Sequence, residues 1–258
     1  RSYLTFATET VQLAGKLTLR YFQSGVRPDF KADDTPVTIA DRKSEELMRS
    51  RIEKRFPKHA IVGEEFGSNQ KQGVSHRWFI DPIDGTKAFV RGVPMYATLL
   101  GLEIEGQVEV GAAYFPALDE MIAAATGEGC WWNGGRAYVS EVGSLDHALA
   151  VFSDVASFAK HGRADAWQRI LQVVSFRAGW GDAYGHMLVA TGRAELMLDP
   201  IMHVWDSAPF PPILKEAGGY FGDWQGNPTI HANEALSTSQ ALLPEVLAII
   251  RGLDGTQS

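Results

Sequence analysis

The stretch Trp78-Phe79-Ile80-Asp81-Pro82-Ile83-Asp84-Gly85-Thr86 constrains this chain more than any other. An apolar run ends abruptly in two carboxylates, a proline, a glycine and a hydroxyl. The apolar part reads as a buried strand. Proline cannot donate to a ladder, so the strand is predicted to stop at Asp81. Gly85 allows the backbone to approach a ligand closely. Thr86 to Val90 then reads as the first turns of a short helix, closed by Gly92 and Pro94. Free N–H groups at a helix start suit a phosphate. Carboxylates beside a phosphate repel it unless cations lie between them. The stretch therefore points to a metal-dependent phosphate site.

With 258 residues and 45% hydrophobic content, the chain can bury one large core or two intimate ones. A division near residue 140 is expected, with an N-terminal α+β half at 1–140 and a C-terminal α/β half at 141–258. The net charge of -7 argues against a nucleic-acid groove or a polybasic membrane patch. An anionic substrate held through cations remains compatible with it. The single cysteine, Cys130, permits neither an internal disulfide nor a cysteine zinc cage. A reducing, cytoplasmic setting is the default expectation. No apolar run is long enough to span a bilayer, and no leader is visible, although the chain lacks an initiator methionine.

Leu4, Ala7, Val11, Ala14, Leu17 and Tyr21 recur at helical spacing, predicting a helix that ends near Gly25. A polar loop with Asp33 and Asp34 follows, then an extended stretch from Pro36 to Asp41. A second helix is predicted from Arg42 to Phe56, stopped by Pro57, and a brief strand at 60–62. Residues 68–75 read as a loop. Segments 97–105, 108–115 and 120–125 form an antiparallel meander, and Asn133-Gly134 a tight turn. Beyond Ser140, strands are expected at 148–153, 194–198 and 220–224, alternating with helices at 164–174, 184–191, 206–217 and 244–250.

Five acids stand out: Asp41, Glu64, Asp81, Asp84 and Asp206. Any one of them alone is most simply a turn former or a helix cap. Asp81 and Asp84, three apart around a proline, are more than a turn requires. Oxygen-only ligation suits magnesium rather than zinc, and two magnesium ions can clamp both oxygens of a phosphoryl transfer.

Asp81-Pro82-Ile83-Asp84-Gly85-Thr86, Gly63-Glu64-Glu65, and Trp205-Asp206 with Glu216-Ala217-Gly218-Gly219 resemble the inositol monophosphatase superfamily. The likeness runs in order along almost the whole chain, including Thr38-Ile39-Ala40-Asp41 and Leu188-Val189-Ala190-Thr191-Gly192. It implies an α/β (α+β) fold, a layered αβαβα sandwich of the inositol monophosphatase and fructose-bisphosphatase type. It also implies magnesium dependence with two or three ions, lithium sensitivity and a homodimer. Residue by residue, it places Glu64, Asp81 and the carbonyl of Ile83 on a first metal, and Asp81, Asp84 and Asp206 on a second. Glu64 would also touch a third, weaker ion. Asp41 and Thr86 resemble the pair that orients the attacking water, with the Thr86 hydroxyl passing a hydrogen bond to Asp41. Asp84, Gly85 and Thr86 would meet the phosphate. One departure is local: Pro209, Pro211 and Pro212 crowd the helix expected after Asp206.

Arg177 to Gly185 sits where the family contacts the organic part of its substrate. Trp180-Gly181-Asp182-Ala183-Tyr184-Gly185 and Asp84 to Gly92 look like the histidinol-phosphate phosphatase branch. Histidinol phosphate carries an amine and an imidazole, which suit extra acids; Asp182 and Asp199 are the candidates, with Arg177, Gly181 and Asp206 beside them. Asp182 could equally be a plain N-cap, and Asp199 before Pro200 a turn residue. Inositol-1-phosphate, a broad sugar-phosphate activity, and a non-catalytic, partner-binding role are the alternatives.

Overall fold

The computed structural model describes residues 2–25, 27–31, 36–69, 71 and 73–252. Asp33 and Asp34 of the predicted polar loop lie outside the described residues, as do 70 and 72 of the next one. In chain order, the first half holds α1 (Ser2–Thr18), β1 (Asp29–Phe30), β2 (Pro36–Val37), α2 (Ile39–Arg55), β3 (Ala60–Gly63), β4 (Gly67–Ser68), β5 (His76–Asp84) and α3 (Thr86–Val90). The meander follows as β6 (Ala97–Ile104), β7 (Gln107–Phe115), β8 (Glu120–Ala125), β9 (Gly129–Trp132) and β10 (Gly135–Arg136). The remainder is β11 (Leu149–Phe152), α4 (Val155–Lys160), α5 (Ala164–Val173), β12 (Phe176–Ala178), α6 (Ala183–Ala190), β13 (Leu196–Asp199), α7 (Val204–Ser207), α8 (Phe210–Glu216), β14 (Gly219–Gly222), β15 (Ala235–Ser239) and α9 (Leu243–Arg251).

Alternation along β5 sets the layers, because successive side chains in a strand leave by opposite faces. Trp78 and Ile80 pack with Ala7, Val11, Met48 and Ile52 of α1 and α2. Phe79 points the other way, into a core shared with Met187 of α6, Phe210 and Ile213 of α8, and Val151 and Met197 of the second sheet. The opposite face of that second sheet buries Ala150, Leu196 and Leu198 against Phe158, Trp167, Ile170 and Val246 of α4, α5 and α9. The order is helix, sheet, helix, sheet, helix: the αβαβα sandwich that the resemblance implies. The larger sheet runs β10-β9-β8-β7-β6-β5-β3-β4 and the smaller β12-β11-β13-β15-β14. In the larger sheet only β3 and β5 pair in parallel. No helix among the described residues is long and apolar enough to cross a membrane.

Four local expectations give way to physics the pattern hides. Helix α1 ends at Thr18 rather than near Gly25, because its backbone bonds tighten into turns there, with Arg20 N–H on the Leu17 carbonyl at 3.2 Å and Tyr21 N–H on the Thr18 carbonyl at 2.9 Å. The strand does not stop at Asp81. It continues to Asp84 across a register shift, with Asp81 opposite Leu99 and Asp84 opposite Ala97. Pro82 falls within that irregularity, where no ladder donor is required, and its carbonyl accepts from Thr98 Oγ1 at 3.0 Å. Helix α2 starts at Ile39 rather than Arg42, because the Thr38 hydroxyl caps it by accepting from Ala40 N–H at 3.1 Å. The single helix expected from 206 to 217 is two. Pro209 caps α8, while Pro211 and Pro212 sit in its first turn, where their missing N–H groups have no intrahelical role.

The junction between α7 and α8 lies directly on β6 and β7. A Cβ on Gly101 would stand 2.7 Å from the Ala208 Cβ, and one on Gly111 1.9 Å from the Pro209 carbonyl oxygen. Backbone cannot swing aside as a flexible side chain does. Gly111→Ala is expected to lower unfolding free energy by about 1–3 kcal/mol in urea titration; a midpoint equal to the parent's would show that the junction is not tightly seated.

Candidate active site

The irregularity in β5 builds the centre of the site. Asp81 Oδ1 accepts the N–H of Ile83 at 2.9 Å, a short turn that carries the chain around Pro82. One extra residue in the strand then brings Asp84 close to Asp81. The third acid arrives from the other sheet's side of the molecule. Asp206 is the third residue of α7, and its Oδ2 accepts the His203 N–H at 3.0 Å. One carboxylate oxygen from each of Asp81, Asp84 and Asp206 lies within 4.8 Å of the other two.

Such proximity raises the proton affinity of every member. Burial, then the charges of Glu64, Asp206 and Asp84, hold Asp81 well above the usual carboxylate range. Burial, Asp182 and Asp206 do the same to Asp84. Burial pushes Asp206 up to about 6, with the His203 N–H pulling against it. Each carboxylate of the three raises the proton affinity of its neighbours, since ionising one places a second negative charge within 4.8 Å of the others. Three hard oxygen donors whose mutual repulsion a positive charge would relieve fit a small divalent cation such as magnesium.

Glu64 follows β3, anchored by its N–H to the Ile80 carbonyl at 3.2 Å. Its carboxylate faces the cluster electrostatically and meets an ammonium: Lys31 Nζ lies 2.7 Å from Glu64 and 2.6 Å from Glu65. A cation thus already bridges this acidic edge. Lys31 was not anticipated; it has no motif, and only the fold brings it to Glu64.

Asp41 occupies the third position of α2, as Asp206 does in α7. Its Oδ2 accepts from the Thr38 N–H at 2.7 Å and from the Thr38 hydroxyl at 2.6 Å, while buried Oδ1 has no partner. Burial raises this carboxyl to about 6 despite those bonds. Ala40, Ile83, Phe89 and Tyr96 form one small apolar cluster, which draws the start of α2 to α3. The Thr86 hydroxyl, however, donates to the Ile83 carbonyl at 2.9 Å. The bond from Thr86 to Asp41 expected from the sequence is not formed; Thr38 takes that place.

On the far side of Gly85, Asp84 Oδ2 accepts the Ala183 N–H at 2.8 Å, tying β5 to the start of α6. Asp182 stands where an N-cap would, but its side chain makes no capping bond. Its backbone holds φ 53° and ψ -153°, a conformation costly for a residue with a Cβ. Its Oδ2 lies 3.4 Å from the place a Gly85 Cβ would take. Asp182 therefore addresses the Gly85 turn rather than its own helix. Ser153 fixes this arrangement, accepting the Asp182 N–H at 2.8 Å and donating to Asp199 Oδ2 at 3.1 Å. Gly181 passes so close that an added Cβ would meet Ser153 Cα at 2.2 Å. Burial, then Asp182, raises Asp199 well above the normal range. Arg177 is apart from this group: it is exposed on β12 and donates to the Val174 carbonyl at 3.3 Å. Cys130 is buried and pushed up to about 12 by that burial, which removes it as a nucleophile.

Asp206 ionises near pH 6 in the fold, against about 4 for an unfolded aspartate. The folded state holds more protons across that window, so stability falls as pH rises through it. In chelator, Asp206→Asn is expected to be more stable than the parent at about pH 7.5, by about 1–2 kcal/mol, and to lose the advantage below about pH 4.5. Equal denaturant midpoints at the higher pH would contradict the repulsion described here.

The profile described as the inositol monophosphatase family matches residues 1–252. A histidinol-phosphatase of Chlorobaculum parvum is 41% identical over 249 residues, covering 96% of each chain. A histidinol-phosphatase of Mycobacterium tuberculosis is 35% identical over 250 residues, covering 95% of this chain and 96% of that one. The solved structure of an inositol monophosphatase from Zymomonas mobilis superposes with a TM-score of 0.87 at 27% identity, over 97% of this chain and 98% of that one. With its acids gathered on the same layered fold, the chain belongs to the inositol monophosphatase family.

Proposed function

We propose that this protein is a magnesium-dependent phosphomonoesterase that hydrolyses histidinol phosphate to histidinol and phosphate. The observation that carries the reading is the second group of acids. Asp182 and Asp199, joined through Ser153, stand beside the Gly85 turn and next to the metal-type cluster. A neutral polyol gains little from two further carboxyl groups, one buried and one half-buried. An alcohol bearing an ammonium and an imidazole supplies the positive charge that would keep them ionised. The names of the two relatives agree with that choice.

Asp81, Asp84, Asp206, Glu64 and the Ile83 carbonyl would hold the cations. Magnesium in such a site acidifies water and neutralises phosphoryl oxygens. The side chains of this protein do the rest. Asp41 Oδ1, buried and without a partner, would take a hydrogen bond from the attacking water and hold its proton. Thr38 keeps that carboxylate in position through two bonds to its other oxygen. Gly85 and Thr86 would offer backbone N–H groups to the phosphate, and the left-handed turn at Gly85, φ 76°, directs them. Water attacks phosphorus, the bond to the alcohol oxygen breaks, and the alcohol leaves with a proton. Asp182 and Asp199 would orient its amine and ring.

Purified protein with magnesium is expected to turn over histidinol phosphate at least about tenfold more efficiently than inositol-1-phosphate. Comparable kcat/KM on the two would overturn the substrate assignment. Asp182→Asn should raise KM for histidinol phosphate about tenfold or more while leaving inositol phosphate turnover within about twofold; equal losses on both would place Asp182 in a general structural role. Asp81→Asn should abolish hydrolysis of either ester with the fold intact. Should that variant stay fully active, the whole catalytic reading would be excluded.

A further inference from the structure

A cavity of about 570 Å³ opens away from the acidic cluster, between the β6–β7 turn, α8 and β14. Ala97 pairs beside Asp84 and Ile104 beside His76, so the length of β6 puts roughly 20 Å between the acidic cluster and this cavity's mouth. Its size is ordinary for a small-molecule site. Nothing in the reaction above uses it.

The strand wall of the cavity is irregular in a specific way. Leu102 pairs with Val110, but Glu103 pairs with Val108, so Glu109 is an extra residue in β7. Strict alternation would send Val108 and Glu109 to opposite faces. The bulge re-aims the acid, and both residues line the cavity. Five titratable residues line it: Glu103, Glu109, Lys215, Tyr220 and His231, the Tyr220 hydroxyl being taken up by the Asp223 and Asn227 carbonyls. Glu103 is already neutralised by Arg77 at 2.8 Å. Glu109 and Lys215 have opposite charge and come from different walls, and while their carbonyls accept from Thr126 and Gly218, their side chains have no hydrogen-bond or ion-pair partner among the described residues. Val108, Pro211, Tyr220 and Ile230 supply apolar surface to the same lining.

We propose that this cavity is a binding site for a small zwitterion of the amino-acid type. Its ammonium pairs with Glu109, its carboxylate with Lys215, and its apolar side chain lies on Val108, Pro211 and Ile230. A purely apolar ligand would leave both charges unanswered in a narrowed space. A simple anion or cation would answer one and be repelled by the other.

Calorimetric titration of the full-length protein with L-phenylalanine and L-leucine tests this, with phenethylamine and 3-phenylpropionate as matched compounds lacking one charge each. The amino acids are expected to bind with dissociation constants below about 1 mM, and each single-charge compound about tenfold or more weakly. Glu109→Gln and Lys215→Met should each weaken L-phenylalanine about tenfold or more. Asp182→Asn should leave it unchanged, which separates this cavity from the acid-lined active site. The proposal fails if neither amino acid binds below about 10 mM, if the single-charge compounds bind as well, or if the Asp182 variant rather than the other two loses binding. Near-parent hydrolysis of histidinol phosphate by Glu109→Gln would confirm that the variant is folded.

Discussion

Mutual repulsion among Asp81, Asp84 and Asp206 is the constraint around which this structure is arranged. Carboxylate oxygens within 4.8 Å of one another, one of them on a buried residue, cannot all ionise without a compensating cation. A fold that sought only stability would not keep them. The chain holds them together by devices that are each ordinary. A strand irregularity at Pro82 turns two acids to one side, and a short helix start presents the third. The same strained region supplies a left-handed Gly85 and a left-handed Asp182 on adjacent segments.

The rest of the molecule makes this arrangement rigid. Helix α7 cannot retreat from β6, because its junction with α8 is seated on Gly101 and Gly111 with no space for a methyl group. Helix α6 cannot drift from β5, because Asp84 accepts its first N–H. The central core, with Phe79, Met187, Phe210 and Met197, locks the helices between the two sheets. His186 lies in that layer, fully buried and lowered to about 3 by desolvation, with Nδ1 2.7 Å from the Ser237 hydroxyl. It is a neutral packing residue.

Much of this is written plainly in the chain, and some is not. The long amphipathic and alternating segments, α5 and β6 to β8, follow their apolar periods closely because burial of one face decides them, while α1 keeps its period but stops at Thr18, short of Tyr21. The acids of the site are legible because they interrupt such segments. Starts and breaks of helices are read less well. Thr38 with Asp41 three residues on is a capping pattern, yet the extended look of Pro36 to Ile39 masks it. Short pieces such as β12 and α4 carry too few residues for a period to emerge. β15 is longer, but its alternation of small polar residues, Ser237 to Ser239, gives no apolar signal although the strand is fully buried. Lys31 and Ser153 are invisible in sequence for a different reason: a single hydrogen-bonding side chain acquires meaning only from partners 33 and 46 residues away.

The most direct measurement is a crystal structure with manganese and phosphate, using manganese anomalous scattering to place the ions. Asp81, Asp84 and Asp206 are expected to surround one peak, with a second between Glu64, Asp81 and the Ile83 carbonyl, and phosphate on the Gly85 turn. Anomalous density lying elsewhere, with no peak among these three carboxylates at saturating manganese, would contradict the account.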